Sequence, residues 1–187
     1  MRWVLFSFAA LAMAACGQQN TASAPAGCAR SATHDVSWTN ADAPDVITTR
    51  SEGPSCAQAV VTFIARKANG DALWAFASTY YDLTSGGLPP DGAPPVSNED
   101  MDRFLAGWAD VSEMRSSELP EWRADAETLS ASAQTFSYDT PFDRETYEML
   151  RGRNLPMICY AASVEGTQCL IIDPPTNAPI MMVAYGP

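Results

Sequence analysis

The chain has 187 residues, 47% of them hydrophobic and 18% charged, which suits one domain with a full apolar core. Its 22 Asp and Glu outnumber its 11 Lys and Arg, for a formal net charge of −11 at pH 7. Such a surface repels phosphate backbones and anionic head groups, so it excludes nucleic-acid binding and any hold on a membrane through a basic patch.

At the amino terminus a single cation, Arg2, precedes the apolar run WVLFSFAALAM and two small residues, Ala14 and Ala15. This is the layout of a secretory signal, and the run falls short of the about 20 apolar residues that span a bilayer. Residues Met13, Ala14, Ala15 and Cys16 resemble the lipobox of bacterial lipoproteins. The resemblance implies a signal peptide over residues 1–15 and a Cys16 that is thioether-linked to diacylglycerol and acylated again with a palmitate-type chain. Two or more acyl chains anchor stably where one is marginal. Gly17 stands where the family usually places Asp for inner-membrane retention, which implies the outer membrane, with the protein facing the periplasm. Loss of Arg2 with the signal leaves the mature chain at −12. Residues 16–33 are small, polar and aperiodic and read as a lipidated flexible tether, followed by a single globular domain over residues 34–187.

With Cys16 assigned to lipid, Cys28, Cys56, Cys159 and Cys169 form an even set in an exported chain, which points to two disulfides. Three connectivities are open; the local pairs, Cys28 with Cys56 and Cys159 with Cys169, are favoured. A zinc site has neither a CxxC pair nor a second histidine to build on.

Two short segments, His34 to Trp38 and Val46 to Arg50, flank the turn-rich TNADAPD, and either one fits an edge strand. The strongest local signal is AVVTFIARKANGDALWAFASTYY, a hairpin over about residues 58–81. A two-residue type I′ turn at Asn69 and Gly70 sets Ala65 opposite Trp74, Phe63 opposite Phe76 and Val61 opposite Ser78, all on one face. The opposite face is also largely apolar, so the hairpin is expected to be central and covered on at least one side by helices. The Gly- and Pro-dense stretch from Thr84 to Ser97 is a loop.

Three helices follow. The first is capped by Ser97 with Asp100 and carries a stripe of Met101, Phe104, Leu105, Trp108 and Val111. The second is expected from about Glu118 to Leu129, and the third opens at Thr140 and stops near Gly152. Strands then return as MICYAAS, QCLIID and PIMMVAY, over about residues 156–185. A five-residue loop from Ala162 to Gly166 would place Cys159 directly opposite Cys169, whereas a two-residue turn would put them on opposite faces. The order makes an α+β domain with mostly antiparallel sheet and about three helices inserted between hairpin and C-terminal strands.

Chemistry is sparse. The only histidine, His34, lies beside Asp35 but close to the tether, a poor place for a triad base. Asn98, Glu99, Asp100 and Asp102 are oxygen-rich, yet in a first helical turn they diverge and serve the helix dipole, so no metal and no cofactor is assigned. Trp74, Tyr80 and Tyr81 are the candidate binding residues, beside the Gly/Pro loop. Alternation along a strand would expose one of the two tyrosines. The expected role is binding or structural, with an envelope protein or glycan as partner; the alternative is an envelope hydrolase using acidic residues near Tyr80 and Tyr81.

Overall fold

The computed structural model describes residues 27–87, 95–133 and 135–187, so Cys16, the lipobox, most of the tether and the middle of the Gly/Pro loop lie outside the described residues. Four strands, β1 (Arg30–Val36), β2 (Asp45–Glu52), β3 (Val60–Arg66) and β4 (Ala72–Thr79), form one antiparallel sheet in that order. A short helix α1 (Tyr80–Thr84) and the longer α2 (Asn98–Ala109) follow. Next come β5 (Ser112–Arg115), a one-turn α3 (Leu129–Ser132), β6 (Ser137–Asp139) and α4 (Arg144–Gly152). The chain closes with β7 (Pro156–Ala161), β8 (Thr167–Asp173) and β9 (Ala178–Gly186). The second sheet is antiparallel in the order β5-β7-β8-β9-β6. The α+β class is as expected, with the hairpin in one sheet and the C-terminal strands in the other.

Alternation along the strands builds two cores. Val61, Phe63 and Ala65 of β3 join Ile47 of β2, Met101 and Leu105 of α2, and Ile158, Tyr160 and Leu170 of the second sheet in one buried cluster. Their neighbours Met157, Cys159, Cys169 and Ile171 point the other way, onto Tyr147 and Leu150 of α4 with Leu119 and Leu129. The second sheet is therefore covered on both faces, which explains its unbroken apolar runs. The hairpin is covered only on its inner face. Its β4 is an edge strand, not a central one, and Val60 on the outer face is 49% exposed.

The register Ala65↔Trp74, Phe63↔Phe76 and Val61↔Ser78 is observed, but through a different turn. Gly70 alone is left-handed (φ 91°), its amide bonds the Lys67 carbonyl, and Lys67 N bonds Asp71 O, a three-residue loop. A bulge between Ala65 and Arg66 absorbs the shift and restores the pairing. Of the two candidate edge segments, the first lies in β1, which is an edge strand and starts already at Arg30, inside the expected tether; the second is β2, which is internal, paired with β1 and β3.

Both local disulfides are present. Cys28–Cys56 (Cα–Cα 4.7 Å) ties the start of β1 to the turn before β3, beside Gly53, where a Cβ would meet Ala59 Cα at 2.7 Å. Cys159 and Cys169 are paired positions of β7 and β8, 4.1 Å apart at Cα, and the connection is the five-residue loop Ala162 to Gly166.

Of the expected helices, α2 starts as read: Ser97 Oγ accepts from Asp100 N and the Asp100 carboxylate accepts from Ser97 N. The helix expected over 118–129 is absent. Pro120 disfavours the helical region at the residue before it, and Leu119 is extended (φ −66°, ψ 155°) after a 3-10 turn at Ser116–Glu118. The third helix begins at Arg144 rather than Thr140, because Asp143 caps it by accepting from Thr146 N at 2.8 Å; it ends at Gly152.

Candidate binding cleft

Helix α2 lies over β1 and β2, held by Thr49 Oγ1, which donates to the Leu105 carbonyl at 2.9 Å, and by Arg30, whose guanidinium pairs with Asp102 (Nε to Oδ1, 2.7 Å). Its far side leans toward the ends of β7, β8 and β9, and the gap between them is an open cleft of about 440 Å³. The half-buried rings of Phe104 on α2 and Tyr185 on β9 line it, and Trp108 of α2 and Tyr160 of β7, 6% and 2% exposed, close it from the core side. Ser112, Thr167, Arg103 and Asp110 stand around them.

The aromatic wall is set by packing deeper in the core. Trp108 stacks on Phe104 (5.6 Å between centroids, 28°), and Tyr160 stacks on Phe63 (4.6 Å, 16°). The polar ends of these rings are tied off inside the protein. Trp108 Nε1 donates to the Ala161 carbonyl at 2.9 Å. Tyr160 Oη accepts from Trp74 Nε1 at 3.0 Å and donates to Gln168 Oε1 at 2.9 Å. Burial pushes the Tyr160 phenol above its ordinary value, with the Trp74 bond pulling weakly the other way, so it stays a neutral donor.

The residues singled out from the sequence divide between two hollows. Trp74, half-buried on β4, does not face a ligand space of its own; it positions Tyr160. Tyr80 and Tyr81 open α1 instead of extending the strand, because Thr79 caps a helix there by accepting from Asp82 N. Strand alternation therefore does not apply to them. Tyr80 packs edge-on against Phe104 at 5.1 Å and so supports the cleft from behind. Its phenol is raised by partial burial, then by Asp100. Tyr81 is only 8% exposed and borders a second hollow of about 740 Å³ with Ser55, Gln58 and Asp82.

The acids near these tyrosines are engaged in caps. Asp82 accepts from Thr79 Oγ1 at 2.7 Å; Asp100 accepts from Ser97 Oγ at 2.6 Å, which holds its carboxyl below the usual carboxylate value. A general acid needs the opposite shift. Each hollow offers one carboxylate among its described lining residues, Asp110 or Asp82, so no specific observation favours the hydrolase reading. His34 sits 3.5 Å from Asp110, an exposed pair at the surface between β1 and α2. Among the described residues no group of three or more His, Cys, Asp or Glu side chains could hold a metal, and no helix is long and apolar enough to cross a membrane.

Tyr185 and Gly107 are among the cleft residues that the sequence reading did not single out. Tyr185 reaches the cleft only through the pairing of β8 with β9. Gly107 did leave a signal: it is an exposed glycine in the last turn of an otherwise strong helix, beside the stripe residues Phe104 and Trp108. Compared with protein-family models, curated proteins and solved structures, the chain matches none.

Proposed function

We propose that the protein is a lipid-anchored envelope lipoprotein that binds a partner at the periplasmic face of the outer membrane, with the α2 cleft as its binding surface. The observation that carries the binding role is the cleft itself: the half-buried rings of Phe104 and Tyr185 over a floor of buried Trp108 and Tyr160 whose polar ends are already satisfied, ringed by hydroxyl and charged groups. Concave, mostly apolar sites with a few convergent polar groups are the usual form of a binding site. Anchoring is supported by Met13-Ala14-Ala15-Cys16, and the two disulfides agree with an oxidising compartment.

Cross-linking in intact cells, followed by detergent extraction of the anchored protein, tests the role. An envelope protein or glycan should be trapped by the native chain; a clean protein with nothing attached counts against it. The anchor has its own check, since Cys16→Ser should abolish fatty-acid incorporation.

A further inference from the structure

Gly107 lines the cleft, yet neither of the usual reasons for a glycine applies there. Its backbone is helical, not left-handed, and a Cβ built on it meets nothing within 4 Å. Alanine would suit the helix better. What glycine does provide is space at the wall between Phe104 and Trp108.

The space has a definite chemistry. Phe104 and Tyr185, each half-buried, offer apolar ring surface, whereas Trp108 and Tyr160 (6% and 2% exposed) belong to the core beneath them; Ser112, Thr167 and Asp110 offer hydroxyl and carboxylate partners at the edge. A flat ligand with an apolar face and a rim of hydroxyls fits both. Arg103, the one cation among the described lining residues, is shared with Asp100 at 3.2 Å and Glu99 at 3.5 Å, and the chain is strongly acidic. A phosphate or carboxylate ligand would therefore find no free positive charge. An extended peptide fares no better by strand addition, because the β7 floor is already paired on both sides, with β5 and β8.

We propose that the cleft binds a neutral saccharide, its pyranose faces against the aromatic walls, and that Gly107 is the specificity-determining residue that keeps the cleft open. This names the ligand class for the binding role above and rests on that role. The volume, about 440 Å³, is near the lower end of small-ligand sites of about 300–1,000 Å³, room for a short oligosaccharide segment.

The test titrates the full lipidated protein, in a detergent without a sugar head group, with neutral oligosaccharides: β-1,4-linked N-acetylglucosamine oligomers, cello-oligosaccharides and malto-oligosaccharides. Isothermal titration calorimetry is the readout. At least one series should bind at about millimolar strength or tighter, and Gly107→Leu, which projects into open space, should weaken it about tenfold or more without changing the circular dichroism. Phe104→Ala gives a second, independent loss. Silence across all three series overturns the saccharide assignment, and binding that both variants leave intact overturns the cleft. If the sugars are silent while the partner trapped in cells is lost with Gly107→Leu, the ligand class falls and the binding role stands; if Gly107→Leu also keeps that partner, both fall.

Discussion

Gly107→Ala separates a glycine kept for the fold from one kept for the cleft. The position is helical and exposed, and the added Cβ touches nothing within 4 Å, so no packing or strain opposes the change. What remains is the entropy of the unfolded chain, which alanine lowers, for a gain of about 0.4–1 kcal/mol. Gly107 lies in the last turn of α2, three residues before the Asp110 C-cap, where fraying places the gain toward the lower end. For a domain of this size the melting temperature should rise by about 1–4 °C. Thermal unfolding followed by circular dichroism, with both disulfides intact, measures it. A fall in melting temperature would refute the reasoning, because glycine would then be required by the fold and its place in the cleft would be incidental.

Three further outcomes are expected. Ser116 is fully buried; its Oγ donates to the Leu150 carbonyl at 3.0 Å and accepts from Leu155 N at 2.9 Å, pinning the end of α4 to the entry of β7. Ser116→Ala orphans the Leu155 N–H, while the Leu150 carbonyl keeps its bond from Arg153 N, and should cost about 1–3 kcal/mol in urea unfolding. The Arg30 guanidinium beside Asp102 holds that carboxyl below its ordinary value, so the stability it contributes is present above about pH 4 and is lost as pH falls through the lower folded value. Asp102→Asn should flatten the acid limb of urea midpoints in that window, and less so in high salt, since the pair is exposed. Replacing Cys159 and Cys169 together by Ala frees an unfolded-state loop worth about 2.8 kcal/mol on the chain-entropy estimate, and should lower stability by about that amount. Equal denaturant midpoints for the variant and the parent would contradict it.

Where local chemistry decides the conformation, the sequence was legible. The Ser97 box is made entirely by residues within one turn, and the Cys159–Cys169 bond excluded a two-residue turn and favoured the five-residue loop, which sets the two directly opposite, over a three-residue one, which leaves them diagonal. The hairpin pairing survived a mistaken turn type because the buried Phe63 and Ala65 demand one register, and a bulge supplied it. Pro120 was readable against the helix expected over 118–129, but the apolar spacing of Leu119, Trp122, Ala126 and Leu129 concealed it. Tyr147 and Ser116, by contrast, depend on partners far along the chain: Tyr147 Oη donates to the Pro120 carbonyl at 2.7 Å, and no local pattern encodes that. The cleft is of the same kind. Phe104 and Trp108 were visible as a helix stripe and Tyr160 as a strand residue, yet only the meeting of α2 with the second sheet makes them one surface.

A photoreactive phenylalanine analogue at Arg103, an exposed position on the cleft rim, probes that surface in living cells, with the same analogue at Thr33, on the exposed outer face of the first sheet, as the control. The expected result is an adduct with an envelope component from position 103 and none from position 33. An adduct from position 33 alone, or from neither, contradicts the cleft as the binding surface of this protein.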